Sequence, residues 1–109
     1  MIEALWSVEF ISSLQGASAG VAVFETGKVL GGDSAFTYIG TYQISAGMLK
    51  AEVAMTKYSA GVSVFGDLQK FTLRLEGAPK HDTFDVQGYV VENPNLKIGV
   101  RLTRRAELP

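Results

Sequence analysis

Apolar and polar residues alternate along most of this chain, in short runs separated by turn residues. In the first run, residues 4–13, Trp6, Val8 and Phe10 share one face and polar side chains lie between them. A period of two is typical of a half-buried β-strand, because successive side chains of a strand point to opposite faces. The run therefore predicts a strand with an aromatic inner face.

The same rhythm recurs along the chain. It predicts strands at 4–13, 19–25, 28–30, 35–44, 48–58, 71–76, 83–91 and 96–103. Glycine, proline, asparagine and aspartate predict turns at 14–16, 25–28, 31–33, 45–47, 77–82 and 92–95. Residues 59–70 lack a sustained period and predict a longer connection, with room for one helical turn. Within 35–44, Gly40 is expected where the strand bends or a neighbouring backbone comes close.

About eight strands joined by short turns favour an all-β fold. An open meander would leave two unpaired strand edges, whereas closure removes both. We therefore expect an eight-stranded antiparallel up-and-down β-barrel, with a two-sheet sandwich as the alternative. The length of 109 residues fits a single domain, 1–109, and 47% hydrophobic with 19% charged residues is a globular composition.

Charge and cysteine content narrow the possible partners. The formal charge is -1, and the basic residues are dispersed except near the C-terminus, which argues against nucleic-acid binding. The absence of cysteine excludes disulfides and thiolate-bound metals. The first residues do not resemble a signal peptide, and no apolar run reaches the ~20 residues of a membrane helix. These features predict a cytoplasmic protein that does not enter a membrane.

Candidate catalytic chemistry is sparse. His81 is the only histidine and lies in a turn beside Asp82, so a solvated loop histidine is the simplest interpretation. No serine occupies a Gly-x-Ser-x-Gly motif, and the glycines of 27–32 match no dinucleotide or phosphate-loop pattern. Carboxylates are scattered over turns and outer faces. We expect no enzymatic activity, no cofactor and no metal.

The aromatic residues are assigned to the core: Trp6, Phe10, Phe24, Phe36, Tyr38, Tyr42, Phe71, Phe84 and Tyr89. A barrel of eight strands is either filled by side chains or just wide enough for one small apolar ligand. If a ligand is held inside, its lining is predicted to be Trp6, Val8, Phe10, Phe36, Tyr38, Val53, Met55, Phe71, Leu73, Phe84, Val86 and Val100. Next to two glycines, the Asp33 carboxylate is expected to bond to nearby backbone N–H groups and fix a turn.

Three features carry a resemblance to a known family: WSVEF at 6–10, GKVLGGDSAFTYIGTY at 27–42 and the rhythm of the late strands. The shared pattern is an aromatic-Ser-x-x-Phe strand, a Gly-Gly-Asp turn, and a strand that ends in Tyr-x-Gly. The chain thereby resembles the GrlR-like family of bacterial regulators, negative regulators of type III secretion. The matching positions are Trp6, Ser7, Phe10, Gly31, Gly32, Asp33, Ala35, Tyr38 and Gly40.

The resemblance implies a barrel similar to lipocalins and fatty-acid-binding proteins. It also implies a homodimer that acts by binding a transcriptional activator rather than by catalysis. The best-known member binds its activator through an acidic motif in the turn after the Tyr-x-Gly strand. Here that region, 41–47, reads TYQISAG and has no acidic residue. A neutral turn cannot attract a basic partner by charge.

Two functions remain open at this stage. The first is a regulator that binds a protein partner or a second copy through exposed apolar residues, for which Ile39, Val62, Val64, Phe65 and Val91 are the candidates. The second is a carrier or sensor of a small hydrophobic ligand held inside the barrel. The two are compatible, because a ligand shifts a binding equilibrium when its affinity for the two states differs.

Overall fold

The computed structural model describes residues 2–12, 17–60 and 68–109, and these form eight antiparallel strands. The strands are β1 (Ala4–Ser12), β2 (Ala17–Glu25), β3 (Lys28–Gly32), β4 (Phe36–Ser45), β5 (Met48–Lys57), β6 (Lys70–Gly77), β7 (Thr83–Val90) and β8 (Asn93–Ala106). Each strand pairs with the next, and β8 pairs with β1 to close the barrel. The expected closed barrel is confirmed, and the sandwich alternative was wrong.

Two hairpins are closed by two-residue turns with positive φ at both central positions. Thr26 and Gly27, between β2 and β3, have φ of 51° and 77°. Ala46 and Gly47, between β4 and β5, have φ of 52° and 77°. This pattern is that of a type I′ turn, whose twist matches that of the strands it joins. Glycine at the second position carries the conformation without a steric cost.

The predicted Gly31-Gly32-Asp33 turn was misplaced, because both glycines belong to β3 and pair with β2 and β4. Neither glycine has a positive φ. A Cβ on Gly31 would lie 2.7 Å from the Cα of Ala22, so glycine is needed there for a close approach of backbones. Gly40 has the same role against Val53 on β5, as its sequence context predicted.

The predicted turn at 92–95 was also misplaced. The turn is Val91–Glu92, and β8 begins at Asn93. The register shifts between the pairs Tyr89–Lys97 and Val90–Asn93, and Pro94 lies in that irregularity. Proline has no N–H to donate, and it is tolerated there because a residue in a bulge does not donate a hydrogen bond to the neighbouring strand.

Side chains that alternate along the strands meet inside the barrel. All twelve predicted lining residues are buried, at 6% exposure or less. Their rings meet edge-on or tilted, with centroids 5.1 Å apart for Trp6 and Phe84 and 5.4 Å apart for Phe10 and Tyr38. Such arrangements are favourable for aromatic pairs. Tyr89 is the exception among the aromatic residues assigned to the core, because its strand parity directs it to the outer face, opposite Phe84, Val86 and Val90.

Two predictions lie outside the described residues. One is the turn at 14–16, and the other is the helical turn proposed within 59–70, most of which falls at 61–67. Val62, Val64 and Phe65 lie in the second of these segments. No helix in the described part of the chain is long and apolar enough to cross a membrane.

Candidate functional site

The barrel interior contains an apolar cavity of about 40 Å³. Its walls include eight of the predicted lining residues together with Ala22, Phe24, Val29, Leu49, Ala51, Leu75 and Leu102; Trp6, Phe36, Phe71 and Phe84 are buried outside it. Pockets that hold drug-sized ligands are roughly 300–1,000 Å³. In this conformation side chains fill the interior, so a lipid-sized ligand would enter only if those side chains moved apart.

The turn between β3 and β4 is organised by the Asp33 carboxylate. Its Oδ1 accepts hydrogen bonds from the backbone N–H groups of Ala35 and Phe36, each at 2.7 Å. Its Oδ2 accepts a hydrogen bond from the Tyr38 hydroxyl. The Asp33 N–H donates to the Phe36 carbonyl at 2.9 Å. This is the local bonding expected for aspartate in a turn, extended by a tyrosine that faces the core.

Tyr58 and Ser59, just beyond the end of β5, tie the chain to the same turn. The Tyr58 hydroxyl donates to the Asp33 carbonyl and the Ser59 hydroxyl to the Ser34 carbonyl. The Tyr58 N–H donates to the Ala35 carbonyl at 2.8 Å. Sequence reasoning missed both residues, because their partners lie 25 positions away and leave no local pattern.

Burial raises the pKa of Tyr38, and the hydrogen bond to Asp33 raises it further. Tyr38 therefore remains a protonated donor to the carboxylate over the physiological pH range. An uncharged phenol held in this way fixes a turn and has no feature of a catalytic base. We therefore assign a structural role to Asp33 and Tyr38 and to the turn that they hold together.

An apolar row crosses the outer face of five strands. Leu5 is paired with Val23, Val23 with Leu30, Leu30 with Ile39, and Ile39 with Ala54. Directly paired residues of an antiparallel sheet lie on the same face with Cβ atoms about 5 Å apart. These five side chains, which we call the outer stripe, therefore form one continuous apolar band.

The outer stripe is largely open to solvent at its centre. Leu30 is 51% and Ile39 is 59% exposed, and Val21, beside the stripe on β2, is 49% exposed. The stripe leads towards Val91, because Thr72 pairs with Ala54 and accepts a hydrogen bond from the Val91 N–H. Of the two surface residues predicted from sequence that the structure describes, Ile39 lies on the stripe, whereas Val91 is a turn residue joined to Thr72 through its backbone. Leu30 was missed because it was considered only as part of a short strand.

A polar groove of about 1090 Å³ lies beside the outer stripe, over β4 to β8. Two rows of paired outward residues line it. The first runs Thr41–Glu52–Arg74–Tyr89–Lys97 and the second Gln43–Lys50–Glu76–Gln87. We call this surface the outer groove.

The first row of the outer groove is tied together across four strands. Nη2 and Nε of Arg74 lie 2.6 and 3.2 Å from Oε2 of Glu52. The hydrogen bonding to Glu52 is the largest cause of a raised pKa at Arg74, and a hydrogen bond to Tyr89 is the second. Lys97 Nζ lies 5.5 Å from the centroid of the Tyr89 ring, within the range of a cation–π contact. The row is therefore pre-ordered.

His81 and Asp85 each pair with a neighbouring side chain on the outer surface. His81 is exposed, and its Nδ1 lies 2.7 Å from Oδ1 of Asp82. Arg101 pairs with Asp85 on the outer surface and lowers the pKa of that carboxyl. Among residues 2–12, 17–60 and 68–109, no three His, Asp or Glu side chains cluster as a metal site would require.

Comparison with family models finds no match, and a search of curated proteins finds no significant match either. The resemblance to GrlR-like regulators therefore remains a prediction that rests on the residues given above.

Proposed function

We propose that this protein is a non-enzymatic binding protein with a regulatory role, which acts in the cytoplasm by docking a protein partner on the outer stripe. The observation that carries the proposal is the continuous band of exposed aliphatic side chains centred on Leu30 and Ile39. Monomeric proteins seldom expose contiguous apolar patches of this kind unless the patch is a binding site.

The surroundings of the outer stripe suit an interface. Thr37 and Thr41 flank Ile39 on β4, and Lys28 and Gly32 flank Leu30 on β3. An apolar centre with a polar rim is the usual organisation of a protein interface. Because β3 and β4 belong to a closed barrel, the partner meets a surface that is already ordered, which reduces the entropic cost of binding.

The first partner that we propose is a second copy of the chain, because two copies of one apolar stripe are self-complementary about a two-fold axis. The resemblance to GrlR-like regulators adds a transcriptional activator as a further partner. The turn at 41–47 lacks acidic residues, so an activator recognised here would be held by apolar contacts rather than by a charged loop.

Native mass spectrometry and light scattering test this proposal. We expect the wild-type protein to be dimeric and the double variant L30S/I39S to be monomeric with unchanged far-UV circular dichroism. E76Q, an exposed change on β6 outside the stripe and its rim, is the matched control and should stay dimeric. If the wild type is monomeric at every concentration, the proposed homodimer is ruled out. If L30S/I39S is dimeric, the interface lies elsewhere.

A carrier of a small hydrophobic ligand is the second candidate. Its support is the wholly apolar lining of the interior cavity, and the volume of about 40 Å³ opposes it. The same mass spectra test it, because a bound lipid would appear as extra mass that is lost on activation.

A further inference from the structure

The outer groove is a large concave surface that the proposed function leaves unassigned. Its volume of about 1090 Å³ far exceeds that of the interior cavity. The first row crosses β4 to β8 and the second β4 to β7, so they span about 19 and about 14 Å at a strand spacing of ~4.8 Å. A surface of this size accommodates a ligand of several rings rather than a single small ion.

The charges of the outer groove alternate in sign. Its lining holds three basic residues, Lys50, Arg74 and Lys97, and three acidic residues, Glu52, Glu76 and Asp85. Glu52 is paired with Arg74 in one row, and Lys50 with Glu76 in the next. A polyanion or a polycation would meet like charges in either row, and each such juxtaposition is unfavourable. The pattern favours a ligand without net charge.

The same lining is rich in groups that donate and accept hydrogen bonds. Gln43, Gln87 and Thr41 add amides and a hydroxyl to the charged side chains, and Tyr89 adds an aromatic ring. The Glu52–Arg74–Tyr89–Lys97 network fixes part of this set before any ligand arrives. Pre-ordered polar groups cost less to immobilise on binding.

We propose that the outer groove binds a neutral, polyhydroxylated ligand, a linear oligosaccharide several rings long. Its hydroxyl groups both donate and accept, so they can satisfy acidic, basic and amide side chains at once. The C–H face of one sugar ring suits the Tyr89 side chain. Tyr89 and Gln87 are the residues to test, because they lie on β7, the last strand that both rows reach, and each belongs to one row.

The test is a titration of the ¹⁵N-labelled protein with neutral hexasaccharides: cellohexaose, maltohexaose and chitohexaose. We expect one of them to give saturable amide shifts confined to β4–β8, with a Kd of about 1 mM or tighter. Raising the salt concentration should leave this Kd unchanged, because no net charge is neutralised. Q87A and Y89A should weaken binding at least tenfold, and E107A, an exposed change ten residues beyond Lys97 along the chain, should not.

Absence of saturable shifts with all three sugars would overturn the proposal, and so would shifts outside the groove or equal binding by Q87A and Y89A. Stronger, salt-sensitive binding of dextran sulfate would show that the ligand is anionic instead. Salt-sensitive capture of a mixed-charge peptide in preference to the sugars would show a protein segment as the occupant. The titration is repeated on L30S/I39S, so that a failure of the outer stripe is separated from a failure of the groove.

Discussion

The Tyr38 hydroxyl donates a hydrogen bond to the Asp33 carboxylate, and this pair fits inside the barrel because position 20 is glycine. A Cβ at position 20 would lie 3.0 Å from Cβ of Asp33 and would overlap the Tyr38 hydroxyl. It would also lie 2.7 Å from the Gly32 carbonyl oxygen. Strand β2 thus leaves space for a turn that lies more than ten residues further along the chain.

The first prediction concerns that space. Gly20→Ala should destabilise the protein by about 1–3 kcal/mol, because an added methyl group displaces the Asp33–Tyr38 pair and the Gly32 backbone. Urea unfolding followed by circular dichroism measures the change. Gly99→Ala is the matched control, since a Cβ at this strand position meets nothing within 4 Å. It should be neutral or stabilising, because alanine loses less backbone entropy than glycine.

If Gly20→Ala were as stable as Gly99→Ala, the close approach would not constrain the fold. Retention of the Asp33–Tyr38 hydrogen bond in the variant would lead to the same conclusion.

The second prediction is an alkaline dependence of stability that arises from Tyr38. Its pKa in the folded protein is raised above the ordinary value of 10.0. The unfolded chain therefore releases the proton first, so the contribution of Tyr38 is complete below pH 10 and declines as the pH rises from 10 towards the higher pKa of the folded state. Tyr38→Phe should lose about 1 kcal/mol at neutral pH, where the hydrogen bond is removed.

The same variant should show a flatter decline in stability between neutral and alkaline pH than the wild type. Tyr58→Phe controls for a tyrosine that contacts the same turn from an exposed position. Equal alkaline slopes for wild type and Tyr38→Phe would contradict the assignment.

The strand pattern of the sequence predicted the barrel because a period of two records directly which side chains face a core. It placed Trp6, Val8 and Phe10 inside, and it placed Ile39 outside. Tyr89 was misassigned because its size suggested burial, although its parity with Phe84 indicated the outer face. Aromatic character alone does not determine which side of a sheet a residue occupies.

The candidate surfaces were harder to predict. The outer stripe depends on pairing register, in which Leu30 is placed beside Ile39, and a single sequence does not state register. The outer groove depends on the pairing of five strands, β4 to β8, so its alternating charges come together only in three dimensions. The Tyr58 and Ser59 bonds to the 33–34 turn have the same origin.

The third prediction concerns the two hairpin turns. Thr26 is β-branched and Ala46 has a Cβ, yet both have positive φ, a conformation that costs such residues free energy. Asparagine tolerates this conformation and favours Asn-Gly turns of type I′. T26N and A46N should each stabilise the protein by about 0.5–1 kcal/mol. Thermal and urea unfolding provide the measurement, and S34N, in a turn without positive φ, should show no gain.

The fourth prediction is an acid dependence of stability that arises from Glu92. Pairing of β6 with β7 runs only from Leu73–Val90 to Glu76–Gln87. Beyond this pairing, Oε1 of Glu92 accepts the Thr72 N–H at 2.8 Å, and the Val91 N–H donates to the Thr72 carbonyl at 2.8 Å. The Glu92 carboxylate thus accepts the hydrogen bond that a strand partner would accept, and it extends the hydrogen bonding between β6 and β7 by one residue.

The hydrogen bond from the Thr72 backbone lowers the pKa of Glu92 below its ordinary value of 4.5. Its stabilisation is therefore complete above pH 4.5 and is lost as the pH falls through the lower, folded value. Glu92→Gln should cost about 0.5 kcal/mol at pH 7, a small figure because the carboxylate is exposed. The cost should vanish in strong acid, where the wild-type carboxyl is itself uncharged. Unfolding curves at several pH values, with hydrogen exchange at the Thr72 amide, measure both effects. Glu76→Gln, on the same strand as Thr72, is the control. A pH-independent difference in stability between Glu92→Gln and wild type would show that the charge of the Glu92 carboxylate does not stabilise the contact between β6 and the turn after β7.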